Sequence, residues 1–74
     1  MKNLRLSVVV EKDKHGYFAF CPGLQGCYAQ GKTHEEVIKN INDAIKLHIK
    51  DRLANGEVIS QPEMTSLTQV EVTV

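Results

Sequence analysis

Any chemistry in this chain would have to come from nine carboxylates, three histidines and two cysteines. The carboxylates are Glu11, Asp13, Glu35, Glu36, Asp43, Asp51, Glu57, Glu63 and Glu71. Two-metal hydrolysis needs several of these to converge within ~4 Å of paired ions. Glu11 and Asp13 instead fall in a charged turn, and Glu35 and Glu36 fall at a helix start, where the helix dipole accounts for them. No two of His15, His34 and His48 have the i, i+4 spacing of a helical metal pair, and His48 falls at the margin of an apolar helix stripe. Cys21 and Cys27 are not a Cys-x-x-Cys pair, and neither has a histidine nearby in sequence. They read as two small, half-buried residues in neighbouring strands, with a cross-strand disulfide under oxidation as the alternative. Gly23, Gly26 and Gly31 are spaced as turn residues and form neither a Gly-x-Gly-x-x-Gly fingerprint nor a Walker-type loop. The expectation is a non-enzyme, with no catalytic residue, no metal site and no cofactor.

The elements that position these residues follow from hydrophobic spacing. Leu4, Leu6, Val8 and Val10 alternate with Arg5, Ser7, Val9 and Glu11, the period-two pattern of a half-buried strand. Glu11 to Gly16 reads as a polar turn, and Tyr17 to Cys21 as a short aromatic strand. Pro22, Gly23 and Gly26 break that strand and force a tight connection into a third, Cys27 to Gln30. Thr33 to Glu36 fits a capping box, in which the Thr33 hydroxyl accepts from the Glu36 amide and the Glu36 side chain reaches back to Thr33. Val37, Ile38, Ile41, Ala44, Ile45, Ile49 and Leu53 then step by threes and fours to the Asn55-Gly56 stop. After a loop containing Pro62, Val70, Val72 and Val74 alternate with Gln69, Glu71 and Thr73, which predicts a last strand.

The predicted fold is α+β, a two-layer β-β-β-α-β arrangement with one helix packed on one face of the sheet. The other face keeps Val9 and, depending on register, either Phe18 and Phe20 or Tyr17 and Ala19. A chain this small seldom leaves such a face bare, so it is expected to meet a second copy or another partner.

Composition bounds the function. Nine Lys plus Arg balance nine Asp plus Glu, for a formal net charge of zero. A face that neutralises phosphates needs surplus cations, so direct nucleic-acid binding is not expected. With 42% hydrophobic and 24% charged residues the chain reads as globular. Its 74 residues make a single domain, 1–74, and chains of that size bury only about 60% of the surface exposed when unfolded. No apolar run approaches the ~20 residues that span a bilayer. The start Met-Lys-Asn-Leu-Arg-Leu lacks the apolar core of a signal peptide. A cytoplasmic protein that does not engage membrane is expected.

The segment from Tyr17 to Ile45 carries an ordered set of signals: the aromatic strand, Pro22 two residues before Leu24, Gly26-Cys27, Gln30-Gly31, the cap Thr33 to Glu36, and the helix run Asn40 to Ile45. In that combination the chain resembles the HicB family of antitoxins, in its short single-domain, HicB-like form, and with the flanking strands the resemblance covers essentially all of it. Gln25 stands where the family usually has Pro, and Val37 where a small Ala is common. Many members carry a further DNA-binding domain. No such domain is read within these residues, so DNA binding is not carried over.

The resemblance implies a reduced ribonuclease-H-like sheet with one helix. It also implies an antitoxin of a type II toxin–antitoxin system, which neutralises a HicA-type toxin by direct binding. Toxins of that type are small, basic, resemble double-stranded-RNA-binding domains and cleave messenger RNA using a histidine, which the antitoxin covers. Charge complementarity would then call for an acidic patch from residues such as Glu35, Glu36 and Asp43. The candidate partner-binding residues are the turn Pro22, Gly23 and Leu24 together with Tyr28, as apolar anchors beside a rigid turn. The alternative is that Leu24 and Tyr28 pack over the sheet edge. A rival function is a stand-alone homo-oligomeric module without a toxin, a homodimer or higher oligomer associating through the open sheet face and the last strand.

Overall fold

The computed structural model describes residues 4–74. Met1 to Asn3, part of the start read above for a signal peptide, lie outside the described residues. Three strands and one helix follow in order: β1 (Val9–Asp13), β2 (Gly16–Phe20), β3 (Tyr28–Gly31) and α1 (His34–Ala54). The strands form an antiparallel meander, β1-β2-β3, with Val9 opposite Phe20 and Phe20 opposite Tyr28. This is an α+β arrangement, with the helix against β3 and β2.

The β1–β2 turn is tighter than the polar run predicts. β1 continues through Lys12 and Asp13, leaving a two-residue connection whose His15 amide donates to the Asp13 carboxylate at 2.8 Å. Gly16 has φ +129°, and a Cβ there would meet the Gly31 carbonyl oxygen at 2.9 Å, so only glycine fits. Leu4 to Val8 alternate as expected, with Leu6 and Val8 on the core and Arg5 and Ser7 exposed, yet they form no ladder. The reason is register: β2 ends at Phe20, opposite Val9, and the chain then turns away at Pro22.

Both helix ends match their sequence signals. Thr33 caps the start and its Oγ1 accepts from the Glu36 amide at 3.0 Å. The return arm differs from expectation, because the Glu36 carboxylate accepts from the Lys32 amide at 3.1 Å rather than from Thr33. At the other end the Gly56 amide donates to the Leu53 carbonyl and the Glu57 amide to Arg52, a Schellman closure with Gly56 at φ +76°.

The last predicted strand does not form. Gln69 to Val74 has no ladder partner among the described residues and is exposed throughout, so the predicted β-β-β-α-β order is corrected to β-β-β-α. Alternation alone makes a segment amphipathic; a strand also needs a neighbouring edge for its backbone groups. No helix of the described residues is long and apolar enough to cross a membrane.

Candidate protein-binding face

The two faces of the sheet differ in what covers them. On the face under the helix stand Val10, Tyr17, Ala19, Cys21, Cys27 and Ala29, which meet Val37 and Ile41 in the core. Ala19, Cys21, Cys27 and Ala29 are small enough to let the helix approach closely. On the other face stand two cross-strand rows: Val9–Phe20–Tyr28, and Glu11–Phe18–Gln30. Of the two registers left open by the sequence, the structure selects the one that puts Phe18 and Phe20 on the uncovered face. Their ring centroids lie 6.0 Å apart, and Phe18 stacks on Tyr28 at 6.1 Å. Tyr28 keeps 61% of its surface in water, while the two phenylalanines are half-buried. These three rings form a contiguous aromatic patch, with Val9 beside it.

The connection from β2 to β3 rims this patch. The Cys21 amide donates to the Cys27 carbonyl at 3.0 Å, Leu24 to Cys21 at 3.0 Å, and Cys27 to Leu24 at 3.1 Å. The loop is thereby closed on itself next to the Phe20–Tyr28 row. Gly26 supplies the required positive φ of +80°. From the last turn of α1, Arg52 Nη2 donates to the Gln25 carbonyl at 3.0 Å and ties the loop to the helix.

The four sequence candidates divide. Tyr28 lies on the aromatic patch, and Pro22 and Gly23 are exposed in the adjoining loop, where they line a recess with Arg5, Leu6, Ser7 and residues 61–65. Leu24 is 2% exposed, a core residue turned inward by the closed loop, so its expected exposure is corrected. The structure adds Phe18, Phe20 and Val9. Their signal in the sequence was the pair of alternate phenylalanines in β2, with Ala19 between them small enough to lie under a helix.

Charge and thiol chemistry are modest. Glu36 is engaged by the Lys32 amide and lines a recess with Phe18 and Gln30 at the edge of the aromatic face, and Asp43 pairs with Lys39 at 3.4 Å along the helix. An exposed i, i+4 pair of this kind contributes little to stability. Cys21 and Cys27 are free and buried. Burial pushes the Cys27 thiol up from its ordinary range, the neighbouring Cys21 adds to this, and Arg52 opposes it. Among the described residues no group of three or more His, Cys, Asp or Glu gathers as a metal site would require.

Comparison with known proteins agrees with this geometry. The family described as HicB_like antitoxin of bacterial toxin-antitoxin system matches residues 6–73. A UPF0150 protein of Helicobacter pylori (strain J99) is 39% identical over 67 residues, covering 90% of this chain and 93% of that protein. UPF0150 protein ssr1765 of Synechocystis sp. is 42% identical over 59 residues, covering 78% and 75% respectively. Among solved structures, a chain of a HicA3 and HicB3 toxin-antitoxin complex superposes with a TM-score of 0.64 at 22% identity, covering 82% of this chain and 72% of that one. That level of identity speaks for a shared fold.

Proposed function

Because this chain belongs to the HicB-like antitoxin family of bacterial toxin–antitoxin systems, we propose that it neutralises a HicA-type, messenger-RNA-cleaving toxin by direct binding. The observation that carries this reading is the uncovered aromatic face. Phe18, Phe20 and Tyr28 offer the large, rigid apolar surface that dominates protein interfaces, and Glu11 and Gln30 supply a polar rim, with Pro22 and Gly23 in the adjoining loop. Tyr28 is the central anchor, since its ring is exposed at no cost to the core. Leu24 acts from beneath, holding the loop in shape. In this account the protein blocks its partner by covering it in the cytoplasm, and performs no reaction itself.

Self-association is the second reading, favoured by the exposed valines of residues 70–74. A homodimer and a toxin complex are compatible when they use different surfaces.

The test is capture of the tagged full chain from its own host, with bound proteins identified and quantified. A small basic protein at near-equal stoichiometry, whose messenger-RNA cleavage stops on adding this chain, is the expected result. Recovery of only its own copies while neighbouring genes are transcribed would reject the toxin-binding reading.

A further inference from the structure

A second unpartnered surface lies on the helix layer. Leu4, Leu6 and Val8, the extended lead-in to β1, face Ile38, Ile45 and Ile49 of α1 across an open groove of about 600 Å³. The helix seats on β3 and β2, which leaves this side of its apolar stripe only partly covered, with Ile45 and Ile49 half-buried and Ile38 exposed. The backbone of residues 4–8 is in no ladder, and β1 is an edge strand. The charged end of that edge, Glu11, Lys12 and Asp13, discourages pairing, whereas its apolar end invites it.

The same molecule carries a strand without a sheet. Val70 and Val72 are 78% and 71% exposed, they alternate with polar residues, and no described residue pairs with their backbone in a ladder. The route of the tail matters. Gln61 accepts from the Arg5 amide at 2.9 Å, and Gln61 to Thr65 lie with Arg5, Leu6 and Ser7 around a shared recess. The chain is thus led past Leu6, and from Ser66 onward it stands in solvent. The radius of gyration, 14.1 Å, exceeds the roughly 11 Å of a compact chain of this length.

We propose that the segment Gln69 to Val74 of one copy pairs with the β1 edge of a second copy, its valines filling that copy's Leu4–Ile49 groove, and that the exchange is reciprocal. This gives the self-association reading a structural basis and rests on it. Area decides for reciprocity. One tail in one groove buries on the order of 800 Å² over both surfaces, below the ~1,200 Å² of a stable interface, and two reach ~1,600 Å². A two-fold pair supplies both exchanges with one kind of contact. The aromatic face takes no part and stays free for another protein.

The experiment is mass measurement by sedimentation equilibrium on the full chain and two variants. The tail variant is Val70→Asn with Val72→Asn, which changes side chains that are largely exposed in the monomer. The groove variant is Ile38→Lys, at a position 39% exposed, with helix content checked by circular dichroism. The wild type is expected at twice its 8.3 kDa. Each variant alone is expected to raise the dissociation constant about tenfold or more. An equimolar mixture of the two should stay largely monomeric as well, because a mixed pair keeps one intact exchange while its other exchange carries both defects. A monomeric wild type, a tail variant as dimeric as the wild type, or a mixture as dimeric as the wild type each overturns the proposal. The tail variant should still bind a captured toxin, so failure here is separable from failure of the antitoxin reading.

Discussion

Gly31 lies against the first turn of α1 so closely that a Cβ there would stand 2.6 Å from the Val37 nitrogen and 3.0 Å from its Cα. The obstruction is helix backbone, which cannot step aside as a side-chain tip can. This contact brings β3 and α1 together just below the cap at Thr33, and so fixes how the helix seats on the sheet. Gly31→Ala is expected to destabilise by about 2 kcal/mol, the scale of overpacking in a tight interior. Gly23→Ala is the control: its added Cβ would meet Leu6 at an ordinary 3.7 Å. Urea denaturation of both variants checks the contrast, and equal effects would contradict it.

Leu24 and Tyr28 separate in the same way. Leu24 is buried and Tyr28 is largely exposed. Leu24→Ala is expected to cost about 2–4 kcal/mol, the range for emptying a leucine site in a core. Tyr28→Ala should stay within about 1 kcal/mol, since little of its burial is lost. Thermal or urea unfolding of the single variants decides this. A double variant would confuse a folding defect with a binding defect.

The Cys27 thiol gives a pH signature. Burial, with Cys21 beside it, raises its folded pKa above the unfolded value despite Arg52. The folded state therefore holds the proton where the unfolded state has released it, and stability falls as pH rises above roughly 8.5. Below that pH the contribution is fully present. Cys27→Ala should lose this alkaline component, so the stability gap between wild type and variant narrows between pH 8 and 10. A gap that widens with pH would contradict the assignment. Thiol-reactive reagents near pH 7.5 should modify Cys27 far more slowly in the folded protein than in denaturant.

The helix cap is a simpler case. Thr33→Ala removes the oxygen that accepts from the Glu36 amide, and about 1 kcal/mol of stability is expected to go with it. Restoration by Thr33→Ser or Thr33→Asp would show that the hydrogen bond, rather than the threonine methyl, is responsible.

How far these features could be read from residues alone depends on how local their causes are. The helix limits were legible because Thr33, Glu36 and Gly56 act within one turn of where they sit. The second and third strands were legible within a residue at each end because Pro22 and Gly26 bound them. The register of β2 was not, because which face a helix covers depends on the approach of a distant element; the small residues Ala19, Cys21 and Ala29, with Gly31, held that information. Leu24 looked like a surface anchor because it follows Pro-Gly, and only the closed Cys21–Cys27 loop shows that it points inward. The alternating valines near residue 72 were read as a strand of this sheet, which alternation cannot establish without an edge to pair with. The resemblance to HicB-like antitoxins, carried by the turn and cap signals in order, is matched by the family model across residues 6–73.

The central claim is that the aromatic face around Tyr28 binds and silences a toxin. The most direct measurement is a titration of the captured toxin's messenger-RNA cleavage with wild-type protein and with Tyr28→Ala, both confirmed folded. The wild type is expected to abolish cleavage near equimolar ratio. The variant should need about tenfold more or worse, as for loss of a central aromatic anchor. Full cleavage at a molar excess of wild type would contradict the antitoxin reading. Equal titration by both proteins would contradict the placement of the toxin on this face.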